Sequence, residues 1–207
     1  MIVREWLLFT AQTPASPSSL RVLVWRRMQH LGALLLHNGV WVLPHTPEHA
    51  QAIHDLMAEL EAHGGCGFFF FAQPADAGLE QNILARFQSE REQEYTEFGE
   101  RCASFLNELD RETVAQKFTF AELEENEDDL HKLTSWLRKI QARDFFGGPH
   151  HDAATTQLTR CRQALATFTS LVYEKAGLAP AVQSANNAAP DKGNVVQEES
   201  SSRDGDD

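Results

Sequence analysis

Two clusters of cationic side chains have the residue types and spacing of a recognition surface. Arg21, Trp25, Arg26 and Arg27 form the first, and Lys132, Arg138, Lys139 and Arg143 the second. Guanidinium forks and ammonium groups bind phosphate or other oxyanions, and an indole ring stacks on a nucleobase. Both clusters are therefore candidate DNA or oxyanion contacts, set against the ordinary reading of solvated helix faces and intrahelix ion pairs. For a small dianion, Arg21 near a helix start, Arg26 and Arg27 one turn on, and Arg143 are the first groups to test, because aligned amides and guanidinium groups stabilise double negative charge.

The remaining reactive residues do not assemble into a known catalytic pattern. His45, His49 and His54 are spaced by four and five residues, and His150-His151-Asp152 follows a Gly-Gly-Pro turn where it could cap a helix. Surface or capping roles account for both groups better than metal binding. The acidic run Glu122 to Asp129 suits the start of a helix. Cys66, Cys102 and Cys161 are far apart, odd in number and without metal-type spacing, as expected of reduced intracellular thiols. No phosphate-cradling glycine loop, GxSxG elbow or Cys/His zinc pattern occurs. The expectation is a protein without catalytic residues, bound metal or cofactor.

Charge supports a local rather than a global electrostatic role. The chain of 207 residues carries a formal net charge of −12, unlike a broad nonspecific nucleic-acid binder. That excess is concentrated in residues 80–130, with fifteen acids against five bases, whereas residues 1–47 hold four arginines against Glu5. With 42% hydrophobic residues there is enough apolar material for a sizeable core. No apolar run is long enough to span a membrane and no leader pattern opens the chain, so a cytoplasmic location without membrane contact is expected.

The elements that must position the cationic clusters follow from local signals. Trp6 to Thr10 reads as a strand that ends before a Pro/Ser-rich loop. A helix follows with Leu20, Leu23, Val24, Met28 and Leu31 at helical spacing, Ser18 or Ser19 as its cap and Gly32 as its stop. Ala33 to Leu36 and Val40 to Leu43 are strands joined by His37-Asn38-Gly39, whose Asn-Gly pair suits a tight hairpin. Pro47 to His63 forms a second helix ended by Gly64-Gly65. Cys66 to Phe71, with four consecutive phenylalanines, reads as a strand buried on both faces, and Phe68 to Phe71 as core. The resulting βαββαβ order is α+β and ferredoxin-like, with two helices on one sheet face and the other face open to a partner. This unit is assigned to residues 1–75.

Beyond it, residues 79–178 read as a three-helix segment: Leu79 to Arg111, Phe120 to Arg143 and Asp152 to Lys175. In the first, Ile83, Leu84, Phe87, Tyr95, Phe98, Cys102, Phe105 and Leu109 are expected to face inward. Stripes of Leu130, Leu133, Leu137 and Ile140, and of Leu158, Cys161, Leu165, Phe168 and Val172, predict an antiparallel pair joined through Asp144-Phe145-Phe146-Gly147-Gly148-Pro149. Residues 179–207 are too polar to build a core and are expected to be a disordered tail.

Two stretches carry a family resemblance. The segment LRVLVWRRMQHLGA with the following NGVWVLP strand, and KLTSWLRKIQARDFFGGP before the last helix, resemble the N-terminal domain of the chromate resistance protein ChrB family, over roughly residues 4–176. The resemblance implies a role in chromate resistance, since full-length members act as chromate-responsive regulators of an operon encoding a chromate efflux transporter. The expected function is transcriptional control through operator DNA or partner binding, with chromate as effector. The alternative is an interaction module that pairs with a separately encoded ChrB C-terminal-domain protein, using the open sheet face or an aromatic edge around Trp41. A homodimer through a sheet edge or face is a further candidate assembly. The first unit is also similar in outline to Cas2-type nuclease domains. Thr10, Ala11 and Gln12 stand where those nucleases place an aspartate, which argues against metal-dependent hydrolysis. Chromate reduction by the cysteines is the remaining enzymatic alternative, without any feature that lowers a thiol pKa.

Overall fold

The computed structural model describes residues 5–14 and 18–178; the expected tail lies outside them. The elements run β1 (Trp6–Gln12), α1 (Ser19–His30), β2 (Leu34–His37), β3 (Val40–Pro44), α2 (Pro47–Ala62), β4 (Cys66–Ala72), α3 (Ala77–Val114), α4 (Phe120–Gln141) and α5 (Pro149–Lys175). The chain is thus a four-stranded antiparallel sheet with interspersed helices, followed by three long helices. The strands lie in the order β2-β3-β1-β4, with every neighbouring pair antiparallel.

Local chemistry explains most boundaries. Gly32 (φ +74) takes the left-handed position after α1, and the Ala33 amide reaches back to the Met28 carbonyl at 2.9 Å, closing the helix. Asn38 and Gly39 both adopt positive φ in the β2–β3 turn, as the Asn-Gly pair predicts. Thr46 caps α2 by accepting from the His49 amide, and Asp76 caps α3 by accepting from the Leu79 amide. Ser18 stands at the N-cap of α1, but its hydroxyl makes no capping bond, because its backbone is already helical at φ −73.

Two layers cover the sheet, one on each face. Leu7, Phe9, Trp41 and Leu43 point to the side packed by Leu20, Val24 and Met28 of α1 and by Ile53, Leu56 and Leu60 of α2. Trp6, Leu34 and Val42 point to the other side, where Ile83 and Phe87 of α3 and the loop residues Phe145 and Phe146 lie against them. The second face is therefore not left open to a partner: α3 crosses part of it. Trp41 is buried on an interior strand, so the expected aromatic edge there does not form.

Of the run Phe68 to Phe71, only Phe69 packs against the core, half-buried on the α1/α2 side. β4 is an edge strand, and Phe68, Phe70 and Phe71 are 54%, 59% and 56% exposed. Hydrophobic content alone does not distinguish a central strand from an edge strand.

The three long helices share one core of Tyr95, Phe98, Cys102, Phe105, Leu109, Leu133, Leu137, Ile140 and the α5 stripe from Leu158 to Val172. Gln141 meets His151 where α4 ends and α5 begins, while Phe120 meets Tyr173 at their opposite ends, so this pair is antiparallel as expected. Of the inward positions expected on α3, all are buried except Leu84, which is half-buried.

Polar groups inside this bundle were not expected. Asn126 donates to Glu112 Oε2 at 2.7 Å and to the Glu122 carbonyl at 2.8 Å, and both Glu112 and Asn126 are buried. Burial pushes the Glu112 carboxyl above its ordinary value, despite the opposing Asn126 bond. The folded state then holds the proton more tightly than the unfolded chain. Its stabilisation belongs to the acid side and is lost as pH rises from the ordinary carboxylate range through the raised value. Glu112→Gln keeps an acceptor for Asn126 and removes the charge, so thermal melts should show it no less stable at neutral pH, with a gain of about 1 kcal/mol or less that shrinks on acidification. A clear loss at neutral pH would mean that the charged carboxylate is the stabilising form.

Candidate functional site

The first cationic cluster lies on α1, whose phase separates it cleanly from the core. Leu20, Val24 and Met28 are buried, while Arg21, Val22, Trp25, Arg26 and Arg27 are exposed. Arg21 and Trp25 are one turn apart, as are Val22 and Arg26, so these side chains form one continuous patch on the helix surface. Trp25 is 54% exposed, which is unusual for the largest apolar side chain. Arg27 lies on the other side of α1, toward α2, and makes a 3.3 Å ion pair with Glu59; both partners are substantially exposed. Such a pair contributes at most about 1 kcal/mol and leaves Arg27 able to exchange partners.

The second cluster divides. Lys132 is paired with Asp129 at 2.7 Å and sits a full two turns or so before the end of α4. Arg138 and Lys139 are exposed in the last turn of that helix. Arg143 is not a surface contact. Its side chain is only 18% exposed, pairs with Glu94 of α3 at 3.0 Å, and donates from Nε to the Lys139 carbonyl at 3.0 Å and from Nη1 to the Gln29 carbonyl at 3.5 Å. It fastens the end of α4 to the end of α1 and to α3.

This fastening determines how the two clusters relate. The ends of α1 and α4 meet at Arg143, against Gly32, so Arg138 and Lys139 are brought toward the C-terminal turn of α1, which carries Arg27 and His30. Arg21 lies roughly 12 Å further along the α1 axis from Gln29. The structure therefore places Arg138 and Lys139 about one turn of α4 from the end of α1, leaves Lys132 apart, and takes Arg143 inside.

One cleft was not anticipated from sequence. It encloses about 220 Å³ between α3 and the start of α5, with Arg91, Glu92, Tyr95, Asp144, His150 and His151 in its lining. Tyr95 donates to Asp144 Oδ2 at 2.9 Å, and burial with this bond drives its hydroxyl pKa upward. His150 faces Glu92 at 3.3 Å rather than capping α5, whose N-cap is Gly148. Arg91 is 8% exposed, and its Nε and Nη1 lack hydrogen bonds. Its charge is nevertheless offset by Glu90 at 3.4 Å and Glu94 at 3.5 Å, so the cleft lacks the surplus positive charge that a dianion requires. The detectable signal in the sequence was an arginine standing on the α3 stripe between Phe87 and Tyr95.

The other candidates are occupied by structural contacts. His45 bonds Glu5 at 2.6 Å, His49 Nδ1 lies 2.8 Å from the Pro44 carbonyl, and the His54 ring packs edge-on against Phe69. Among the described residues, no three His, Cys, Asp or Glu side chains converge as a metal site. Cys102 and Cys161 are buried together in the bundle, where the hydrogen bond with Cys161 and burial push the Cys102 thiol up, while Cys66 is half-buried at the start of β4. Among those residues, too, no helix is long and apolar enough to cross a membrane.

The sequence matches known proteins across most of these elements. Protein ChrB from Cupriavidus metallidurans is 30% identical over 104 residues, covering 50% of this chain and 32% of that protein, so the match spans about a third of the relative's length. The family described as "Protein ChrB, N-terminal" matches residues 21–179, which include α1 with its exposed arginines and tryptophan, the sheet from β2 onward and all three long helices. The chain belongs to the ChrB N-terminal family.

Proposed function

We propose that this chain is a regulatory module of chromate resistance that acts by binding operator DNA, without catalysis of its own. The observation that carries this reading is the exposed Trp25 set between Arg21 and Arg26 on one side of α1, with Arg138 and Lys139 exposed on the last turn of α4, whose end meets the end of α1. Arginines at phosphate distance and an indole able to stack on a base or sugar are the elements of local nucleic-acid recognition. The −12 net charge restricts such contact to this side of the molecule, because the acids are concentrated on α3 and the first half of α4. The element order and the β2-β3-β1-β4 strand order favour reading residues 6–72 as a ferredoxin-like unit that presents α1.

Chromate enters the proposal as effector through the family relationship. In the cleft lined by Arg91 the positive charge is offset by Glu90 and Glu94, so the effect of chromate on this chain is to be measured on DNA binding. Fluorescence anisotropy with DNA upstream of its own operon, at low and moderate salt and with chromate or sulfate, tests the reading. Saturable binding that weakens with salt is expected. Trp25→Ala should weaken it by about tenfold or more, and Arg26→Gln should weaken it while lowering the salt slope by about one. Absence of binding at low salt, or unchanged binding by both variants, sinks the DNA reading.

A further inference from the structure

We infer that β4 is the dimerisation strand of this protein and pairs with β4 of a second copy. The two edges of the sheet are treated differently. β2 is four residues long, has a register irregularity between Leu35 and His37, and its Leu35 carbonyl is bonded by Arg86 at 2.7 Å. These are means by which proteins close an edge to further pairing. β4 has none of them. It runs seven residues in unbroken register with β1, carries no ionisable group except the Cys66 thiol, and contains no proline.

Its side chains are exposed on both faces. Phe68 and Phe70 lie opposite Thr10 and Leu8 on the side crossed by α3, which covers Trp6 and Val42 but stops short of these two rings. Phe71 lies opposite Leu7 on the α1/α2 side and stays exposed although it touches His45 and Phe69. A ligand laid on one face would leave the other side uncovered. A strand added at the edge, bringing its own layers, covers both.

A second copy fits this edge by its own register. Antiparallel pairing about Phe69 sets Phe70 across from Phe68 of the second copy, and Phe71 across from its Gly67. Phe70 meets Phe68 on one face, while on the other Phe69 meets its own counterpart and Phe71 lies over a residue without a side chain. The two-fold axis stands perpendicular to the sheet, so α1 and α2 of both copies share one side of an eight-stranded sheet. Charge does not oppose this surface, since β4 carries no charged side chain. The six exposed rings supply roughly 700 Å². The strand backbones and Leu79, itself 48% exposed, extend this toward the ~1,200 Å² at the lower end of stable interfaces.

The test is sedimentation of the full chain over a concentration series, and it is independent of DNA binding. Wild type should sediment at twice 23.3 kDa, dissociating on dilution. Phe70→Lys, at a site too exposed to unfold the protein, should weaken the dimer roughly a hundredfold while circular dichroism and thermal melting stay unchanged. Phe68→Lys should do the same. In a Cys66→Ser background, a mixture of Phe68→Cys and Phe70→Cys chains should cross-link on oxidation more than either alone, which reports the register. A monomer at every concentration, or a dimer indifferent to both lysines, overturns the inference, the first outcome leaving β4 to a different protein and the second placing the interface elsewhere.

Discussion

Trp6→Ala should destabilise the protein by about 3–5 kcal/mol, whereas Trp6→Phe should cost only about 1 kcal/mol. Trp6 is 2% exposed, stacks on Phe87 with ring centroids 5.7 Å apart, and meets Phe146 at 6.2 Å. It belongs to the cluster in which Leu34 and Val42 of the sheet meet Ile83 of α3, so removing the indole opens a cavity where the sheet joins the long helices. Phenylalanine fills most of that volume and retains a ring against Phe87. It also removes an indole Nε1 that is buried without a hydrogen-bond partner among the described residues, so part of the lost packing is offset. Urea denaturation followed by far-ultraviolet circular dichroism measures both. If the alanine variant were no less stable than the phenylalanine variant, the cluster would not be what holds the two parts of the chain together.

The loop that completes this cluster shows what sequence reading could and could not reach. Asp144-Phe145-Phe146-Gly147-Gly148-Pro149 was legible as a break between helices because glycine and proline act locally. That Phe145 would lie against His49 and Phe87, and Phe146 against Trp6, depends on contacts across the fold. The same division runs through the site. Trp25 was readable as exposed from its phase relative to Leu20, Val24 and Met28, since a helix repeats within four residues. Trp41, Phe68, Phe70 and Phe71 were misplaced because strand order decides burial, and no local signal told that β3 is interior and β4 an edge. Arg143 looked like the other cations of its stretch. Its partners, Gln29 and Glu94, lie 114 and 49 positions away.

That long-range junction makes a second large effect predictable. Gly32→Ala should cost about 2–4 kcal/mol, from two causes that a second substitution separates. The first is conformational: Gly32 has φ +74, where an ordinary side chain is strained by about 1–2 kcal/mol. The second is steric. A Cβ at this position would lie 2.8 Å from Arg143 Cβ and 3.2 Å from its Cα, and a backbone atom cannot move aside as a flexible side-chain end can. Gly32→Asn tolerates the left-handed conformation but still carries the Cβ, so it should recover about 1 kcal/mol of the loss and no more. Arg143→Ala, by contrast, keeps the close approach and loses the ion pair with Glu94; partial exposure of both partners holds its cost to about 1–2 kcal/mol. Chemical denaturation of the three variants ranks them. Asparagine at wild-type stability would show that α1 and α4 do not meet as closely as 2.8 Å requires, and the approach of Arg138 and Lys139 to the α1 patch would fall with that contact. Asparagine between alanine and wild type fixes the two helix ends together, as a joint basic surface on α1 and α4 needs.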